Sequence, residues 1–262
     1  MTKAAKMGEL GWIEKRRHQR AARALVRQRE YQREKAKTIG NLDSVLRSVF
    51  LHSQAVRNKL AAVREIGEGD TILEVGSGAH GLVFGLGLKG AIGIDPLAVE
   101  YKRLFPEIQR HAATVASIGE ELPFESAAFD VVLSDNVIDH GGRPLMILDE
   151  IVRVLKPGGV LYFTVNIHHP IYDLASRAHG LWNALGIKLE LSAFADHTVH
   201  FSDVQIREAF SRLPLQRISE STTIMETKRA QRQYRGLSPD PLLKMLFFKN
   251  ALYELVAIKN ED

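Results

Sequence analysis

The stretch ILEVGSGAHGL, residues 72–82, constrains what this chain can fold into more than any other. Apolar residues and one acid run straight into Gly76, Gly78 and Gly81 at G-x-G-x-x-G spacing. Such a run reads as a buried parallel strand feeding a tight turn that opens a helix. Turns of this kind grip nucleotide cofactors, because glycine lets the backbone come close and the helix N-terminus faces the ligand. The spacing by itself suits a nicotinamide or flavin dinucleotide. It also occurs in tight turns that hold nothing.

Glu74 separates the possible ligands. It lies two residues before Gly76, where dinucleotide folds keep an apolar residue, and a carboxylate there would repel a pyrophosphate. A cationic ligand without phosphate is compatible with it. Asp95, 21 residues after Glu74, fits a ribose-binding acid under either reading.

The surrounding pattern is that of an α/β parallel sheet. Strands are expected at TILEV (71–75), AIGID (91–95), ATVAS (113–117), FDVVLS (129–134) and VLYFTVN (160–166), with two more at 215–224 and 251–259. Helices are expected from the glycine turn to about Leu88, over 96–105 with Pro96 in the first turn, and over 143–155, stopped by KPGG. Residues 41–66 carry Leu42, Val45, Leu46, Val49, Phe50, Val56, Leu60 and Val63 at three- and four-residue steps. This amphipathic helix is expected to pack on the body and cap one side of the active-site cleft.

Four motifs in order, LEVGSGAHG, GIDP, EELPFESAAFDVVLSDNVIDH and EIVRVLKPGG, resemble the class I S-adenosylmethionine (SAM)-dependent methyltransferases, within them the type 11-like group with an LPF-type fourth motif. The resemblance covers about residues 65–170. It implies a Rossmann-like seven-stranded sheet with helices on both faces and the last strand antiparallel, and SAM as cofactor. It also implies that Glu74, Gly76, Ser77 and Gly78 line the methionine part, largely through backbone groups. Asp95, followed by Pro96, would accept both ribose hydroxyls. Ile118, Gly119 and Glu120 would flank the adenine, with Ile118 standing where many relatives have Asp. Ser134, Asp135 and Asn136 would close on the cofactor near its methyl group.

Transfer to a hydroxyl also needs a base, and histidine has the right unperturbed pKa. His140 in DNVIDH, and His168 and His169 in NIHHPIYD, follow the fourth and fifth strands, where such sheets place ligands. His197 and His200 in ADHTVHFS form a further loop pair. These histidines with Asp139, Asp173 and Asp196 could gather round a metal, but no helix carries ligands at i, i+4 and no metal is expected. The fourth motif and DHTVHFSDVQIREAF also look like methyltransferases of bacterial surface-polysaccharide and cell-envelope pathways. That resemblance implies a sugar hydroxyl or related small metabolite as acceptor.

Charge divides the chain. Residues 1–40 hold twelve Lys/Arg against four Glu, whereas the remainder is mildly acidic. The expected organisation is a basic helical or partly disordered arm (1–40) and a methyltransferase domain (41–262). The domain comprises a capping helix (41–66), a SAM-binding core (67–170) and an acceptor-side insert with C-terminal strands (171–262). The arm suggests an alternative, an RNA or ribosomal methyltransferase gripping phosphates or another anionic surface. A third reading is a binding protein that keeps SAM without turnover. Zero cysteines exclude disulfides and thiolate chemistry. With no apolar run of membrane-spanning length and no secretory pattern, the expected location is cytoplasmic.

Overall fold

The computed structural model describes residues 22–38, 40–172, 199–233 and 246–261. Seven strands form one sheet: β1 (Ile72–Val75), β2 (Ala91–Ile94), β3 (Ala113–Val115), β4 (Phe129–Asp135), β5 (Leu155–Ile167), β6 (Leu215–Thr222) and β7 (Ala251–Lys259), in the order β3-β2-β1-β4-β5-β7-β6. β1 to β5 run parallel, and β7 is antiparallel to both of its neighbours. This is the expected Rossmann-like architecture with an antiparallel last strand.

β1 and most of β4 are buried on both faces, which is why their sequences are near-continuous apolar runs rather than alternating ones. One face packs Ile147, Leu148, Ile151 and Val154 of helix α6 (Pro144–Val154) against Leu73, Val132 and Leu161. The other packs Val49, Val56 and Leu60 of helix α2 (Leu42–Ala61) against Ile72, Val131 and Val160. Each such fully buried side chain contributes roughly 1.5–3 kcal/mol. Ahead of α2 lies helix α1 (residues 22–38). Between β1 and β4 come the short helices α3 (Val83–Leu86), α4 (Ala98–Leu104) and α5 (Pro106–Gln109). Helices α7 (Asp203–Ser211) and α8 (Ile224–Gln231) flank β6.

Several boundaries differ from expectation. α2 ends at Ala61 rather than 66, and α4 begins at Ala98, leaving Pro96 in the connection. α3 stops at Leu86 because Gly87 takes a left-handed conformation, φ 69°. α6 does not run into a loop at KPGG. It ends at Val154 and the chain enters β5 at once, the register against β4 jumping from Phe129↔Leu155 to Val131↔Val160. KPGG is therefore a bulge within the strand, with Gly158 at φ 71°.

Candidate active site

The glycine turn is tied down by its own amides. Gly76 N and Ser77 N both donate to Ile94 O, at 2.8 and 2.9 Å, fastening the turn to the end of β2. Gly76 and Gly78 have φ of 76° and 56°, a region that favours glycine. Gly78 N donates to Asp95 Oδ2 at 3.1 Å. The Glu74 carboxylate is buried and accepts Leu82 N at 3.0 Å and Val83 N at 2.9 Å, occupying the start of α3. Burial pushes its pKa up to about 7, against the pull of those two amides. Sequence reasoning placed Glu74 among the residues lining the methionine part, largely through backbone groups; in the structure its side chain organises the turn by accepting the Leu82 and Val83 amides.

Asp95 accepts Leu97 N at 2.7 Å through Oδ1, so each of its oxygens holds one backbone donor and keeps a lone pair for another. Burial raises its pKa despite those bonds. Beside it, a Cβ added to Gly78 would meet nothing within 4 Å. Ile118 is exposed. Gly119 packs close to Val75 and Ile147. The carboxylate of Glu120 accepts Gly142 N and Arg143 N at 2.8 and 3.1 Å, at the entrance to α6.

At the end of β4, Ser134 is fully buried. Asn136 has φ 58°, and its Oδ1 accepts Asn166 N at 3.0 Å, locking the β4 and β5 ends together. Asp135 makes a contact that the sequence gave no hint of. Its Oδ2 lies 2.8 Å from His52 Nε2 on α2, and its Oδ1 accepts Thr164 Oγ1 at 2.5 Å. Burial favours the neutral acid, yet the bonds to His52 and Thr164 hold Asp135 below the usual carboxylate range. α2 thus reaches the end of β4. It is fastened there by Ser53 Oγ to Leu82 O (2.8 Å) and Gln54 Nε2 to Gly85 O (3.0 Å).

The three histidines singled out as bases sit differently from one another. His140 is exposed, with Nε2 3.9 Å from Asp139 Oδ1. His168 is buried, accepts Asn250 N at Nδ1 (3.3 Å), and packs edge-on to His200 with ring centroids 4.9 Å apart. His169 accepts Ile171 N at Nδ1 (3.3 Å), lies 4.8 Å from the Phe247 ring, and has a pKa lowered by burial and by Lys228. Val199 N donates to Asp139 O at 3.1 Å, so the β4 turn, the β5 end and the segment around His200 converge. His197, Asp173 and Asp196 lie outside the described residues. Among the described residues, no group of three or more His, Cys, Asp or Glu could hold a metal ion.

Of the basic arm, residues 22–38 form α1, which packs against α4 rather than standing free. Arg29 Nε and Arg33 Nε pair with Glu100 at 3.3 and 2.5 Å. Lys35 lies near enough to His80 of the glycine turn to join burial in lowering that histidine's pKa to about 4. Residues 1–21 lie outside the described residues. No helix among the described residues is long and apolar enough to cross a membrane.

Residues 73–163 match the family described as a methyltransferase domain. An uncharacterized methyltransferase of Mycobacterium tuberculosis H37Rv is 37% identical over 111 residues, covering 40% of this chain and 44% of that one. One of Mycobacterium leprae strain TN is 33% identical over 102 residues, 38% of each. The matched stretch therefore spans about two fifths of these relatives. Two solved structures share the fold. The geranyl diphosphate C-methyltransferase of Streptomyces coelicolor, in complex with Mg2+, geranyl diphosphate and S-adenosyl-L-homocysteine, superposes with TM-score 0.55 at 17% identity, covering 79% of both chains. The YcgJ protein of Bacillus subtilis gives 0.54 at 17%, covering 80% of this chain and 99% of that one.

Proposed function

We propose that this chain, whose residues 73–163 match a methyltransferase-domain family, is a class I SAM-dependent methyltransferase that transfers a methyl group from SAM to a hydroxyl oxygen of a small molecule or glycan. One observation carries the choice of cofactor. The amides of Gly76, Ser77, Gly78, Leu82 and Val83 are already taken by Ile94 O, Asp95 and Glu74. A pyrophosphate arriving at the start of α3 would meet the Glu74 carboxylate where a dinucleotide fold presents free N–H groups. A ligand with a sulfonium, an ammonium and two ribose hydroxyls has the complementary chemistry.

On this reading Asp95 takes the ribose hydroxyls with its remaining lone pairs, a charge-assisted pair of hydrogen bonds. The unfilled space at Gly78 accommodates the approach, Ile118 and Gly119 lie against the adenine, and Ser134 to Asn136 border the reacting carbon. The bound cofactor supplies an electrophilic methyl whose leaving group is a neutral thioether. The protein therefore needs no acid. Its work is to align the acceptor, where proximity supplies roughly 7–11 kcal/mol, and to receive a proton. On the same reading His140, His168 and His169 lie toward the acceptor; His140 is exposed, His169 half-buried and His168 buried.

The resemblance to cell-envelope methyltransferases supports a hydroxyl on a sugar or related metabolite. The alternative, RNA gripped through residues 1–40, draws less support, because Arg29 and Arg33 are committed to Glu100. Calorimetry with SAM and with NADH tests the cofactor, followed by methyl transfer from labelled SAM to glycosides, phenols, carboxylates and RNA. Binding of NADH but not SAM overturns the assignment, and transfer only to RNA overturns the acceptor class.

A further inference from the structure

The strand order reverses between β1 and β4, and open α/β sheets bind ligands beyond the carboxyl ends of the strands at that switch point. Glu74 sits on one side of it and Asp135 on the other, close enough that the Asp135 charge adds to burial in raising the Glu74 pKa. Over this point α2 places His52, 83 residues away from Asp135 in sequence and joined to it by the 2.8 Å contact. We propose that His52 is the proton acceptor of the methyl transfer, aimed by Asp135 and Thr164. The proposal rests on the hydroxyl-acceptor reading above.

In its neutral form, above its raised pKa, His52 has an assigned tautomer. Asp135 is a carboxylate acceptor, so Nε2 carries the hydrogen of the shared bond and Nδ1 carries the lone pair. No described residue bonds Nδ1, and the His52 side chain is 55% exposed while the Asp135 side chain is 24% exposed. A half-open imidazole with its far nitrogen held by a largely buried carboxylate is the arrangement in which a histidine serves as base and a carboxylate steadies the cation that forms. The carboxylate is itself held by Thr164 through its other oxygen.

The helix carrying the base is fixed by the next two residues in sequence. Ser53 Oγ donates to Leu82 O and Val49 O, each at 2.8 Å, and Gln54 reaches Gly85 O. Gly85 makes the approach feasible, since a Cβ there would press on the Ser53 side chain. His52 is thereby held in register with the same α3 that the Glu74 carboxylate caps. By contrast, Nδ1 of both His168 and His169 already accepts a backbone amide.

In the step, an acceptor oxygen lone pair forms the bond to the methyl carbon and the carbon–sulfur pair stays on sulfur. The hydroxyl proton passes to His52 Nδ1. One positive charge disappears from sulfur and one appears on the imidazolium, facing Asp135. The charged groups acting on His52 are Asp135 from β4, Glu74 from β1 and Lys59 from α2 itself. Glu254 of β7 is engaged by Lys59 and by Tyr162 of β5. The bond to Asp135 raises the His52 pKa above 6.5, with burial and Lys59 opposing and Glu74 assisting.

The full chain tests this with variants His52→Gln and Asp135→Asn, the glutamine retaining a donor toward Asp135. Three measurements are needed: SAM affinity by calorimetry, imidazole titration by carbon NMR of labelled histidine, and rate against pH with SAM. The probe acceptors are phenol, catechol and methyl α-glucopyranoside. His52→Gln is expected to lower turnover about 10²–10⁴-fold with SAM affinity within about threefold. It should also abolish the rising limb of the pH profile. In Asp135→Asn the His52 midpoint should move down toward 6.5 and the limb should follow it. Wild-type turnover or an unchanged limb in His52→Gln overturns the proposal. So does an unmoved midpoint in Asp135→Asn, or a chain that binds SAM yet methylates none of the three hydroxyl probes. A chain that fails to bind SAM instead overturns the methyltransferase reading beneath.

Discussion

Gly81 lies so close to the buried carboxylate of Glu74 that a Cβ would stand 2.5 Å from Oε2 and press on the Ser77 carbonyl. The third glycine of the motif is thus needed by the acid that precedes the first. Gly81→Ala should push that carboxylate off the Leu82 and Val83 amides. Overpacking of this kind costs about 1–3 kcal/mol, and SAM affinity should fall with it. Urea melts and calorimetry measure both, and a variant matching wild type in each removes the coupling.

Asp95 joins the glycine turn to the start of α4 through Gly78 N and Leu97 N. Asp95→Ala should weaken SAM binding at least tenfold, a loss of about 1.4 kcal/mol or more. Asp95→Asn should fall between the two, because an amide keeps one acceptor oxygen. Calorimetric titration of both variants checks the order, and equal affinities across the series contradict a ribose role.

Glu74 makes stability depend on pH in an identifiable direction. Its folded pKa is raised from 4.5 to about 7, so between those values the folded state keeps a proton that the unfolded chain has lost. Stability from this group therefore falls as pH climbs through that window, by something on the order of 3 kcal/mol. His80, depressed from 6.5 to about 4, has the opposite slope, since its unfolded form binds the extra proton. The comparison of wild type with Glu74→Gln isolates the first effect: the wild type should lose more stability between pH 4.5 and 7. Parallel stability curves for the two chains would falsify it.

The His52–Asp135 pair contributes in a window of its own. Asp135 is charged above its depressed pKa, below the ordinary 3.8, and His52 keeps its proton up to a pKa above 6.5. The pair's contribution is therefore present between roughly pH 4 and 6.5, fades as acid protonates Asp135, and fades again as base deprotonates His52. His52→Gln should differ from wild type in melting temperature most at pH 5 to 6 and least at pH 9. A difference that grows with pH has the wrong sign for this pair.

Glu100 gathers Arg29 and Arg33 onto α4. Glu100→Gln should free both guanidinium groups without adding a cation. If residues 1–40 serve as a phosphate grip, nucleic-acid affinity should rise and its salt dependence steepen by up to about two phosphate contacts. A filter-binding series over salt concentration reads the slope. No change in slope leaves these two arginines as fasteners of α1 alone.

Most of the sheet was legible because each parallel strand is a short apolar run closed by turn residues. The expected 251–259 strand coincides with β7. KPGG misled because proline and glycine signal a turn, whereas here the flanking residues Leu155 and Val160 both pair with β4 and the motif bulges between them. Glu74 and Asp95 stand out in the sequence as acids close to strand ends, but the atoms that Glu74 binds depend on where α3 begins. His52 was not found, since its partner is supplied only by folding. One signal did exist. Val49, Ser53, Val56 and Leu60 form the buried stripe of α2, and a serine within such a stripe marks a place where another backbone comes close.

The strand order also says how the molecule must be assembled. Among the described residues, β6 is bonded to β7 alone, and β7 lies between it and β5. Until residues 251–259 arrive, the segment 215–222 has no edge to join, and β5 remains an open border beside it. Loss of the terminal strand would therefore detach two strands at once, leaving five that end on an unprotected, apolar rim.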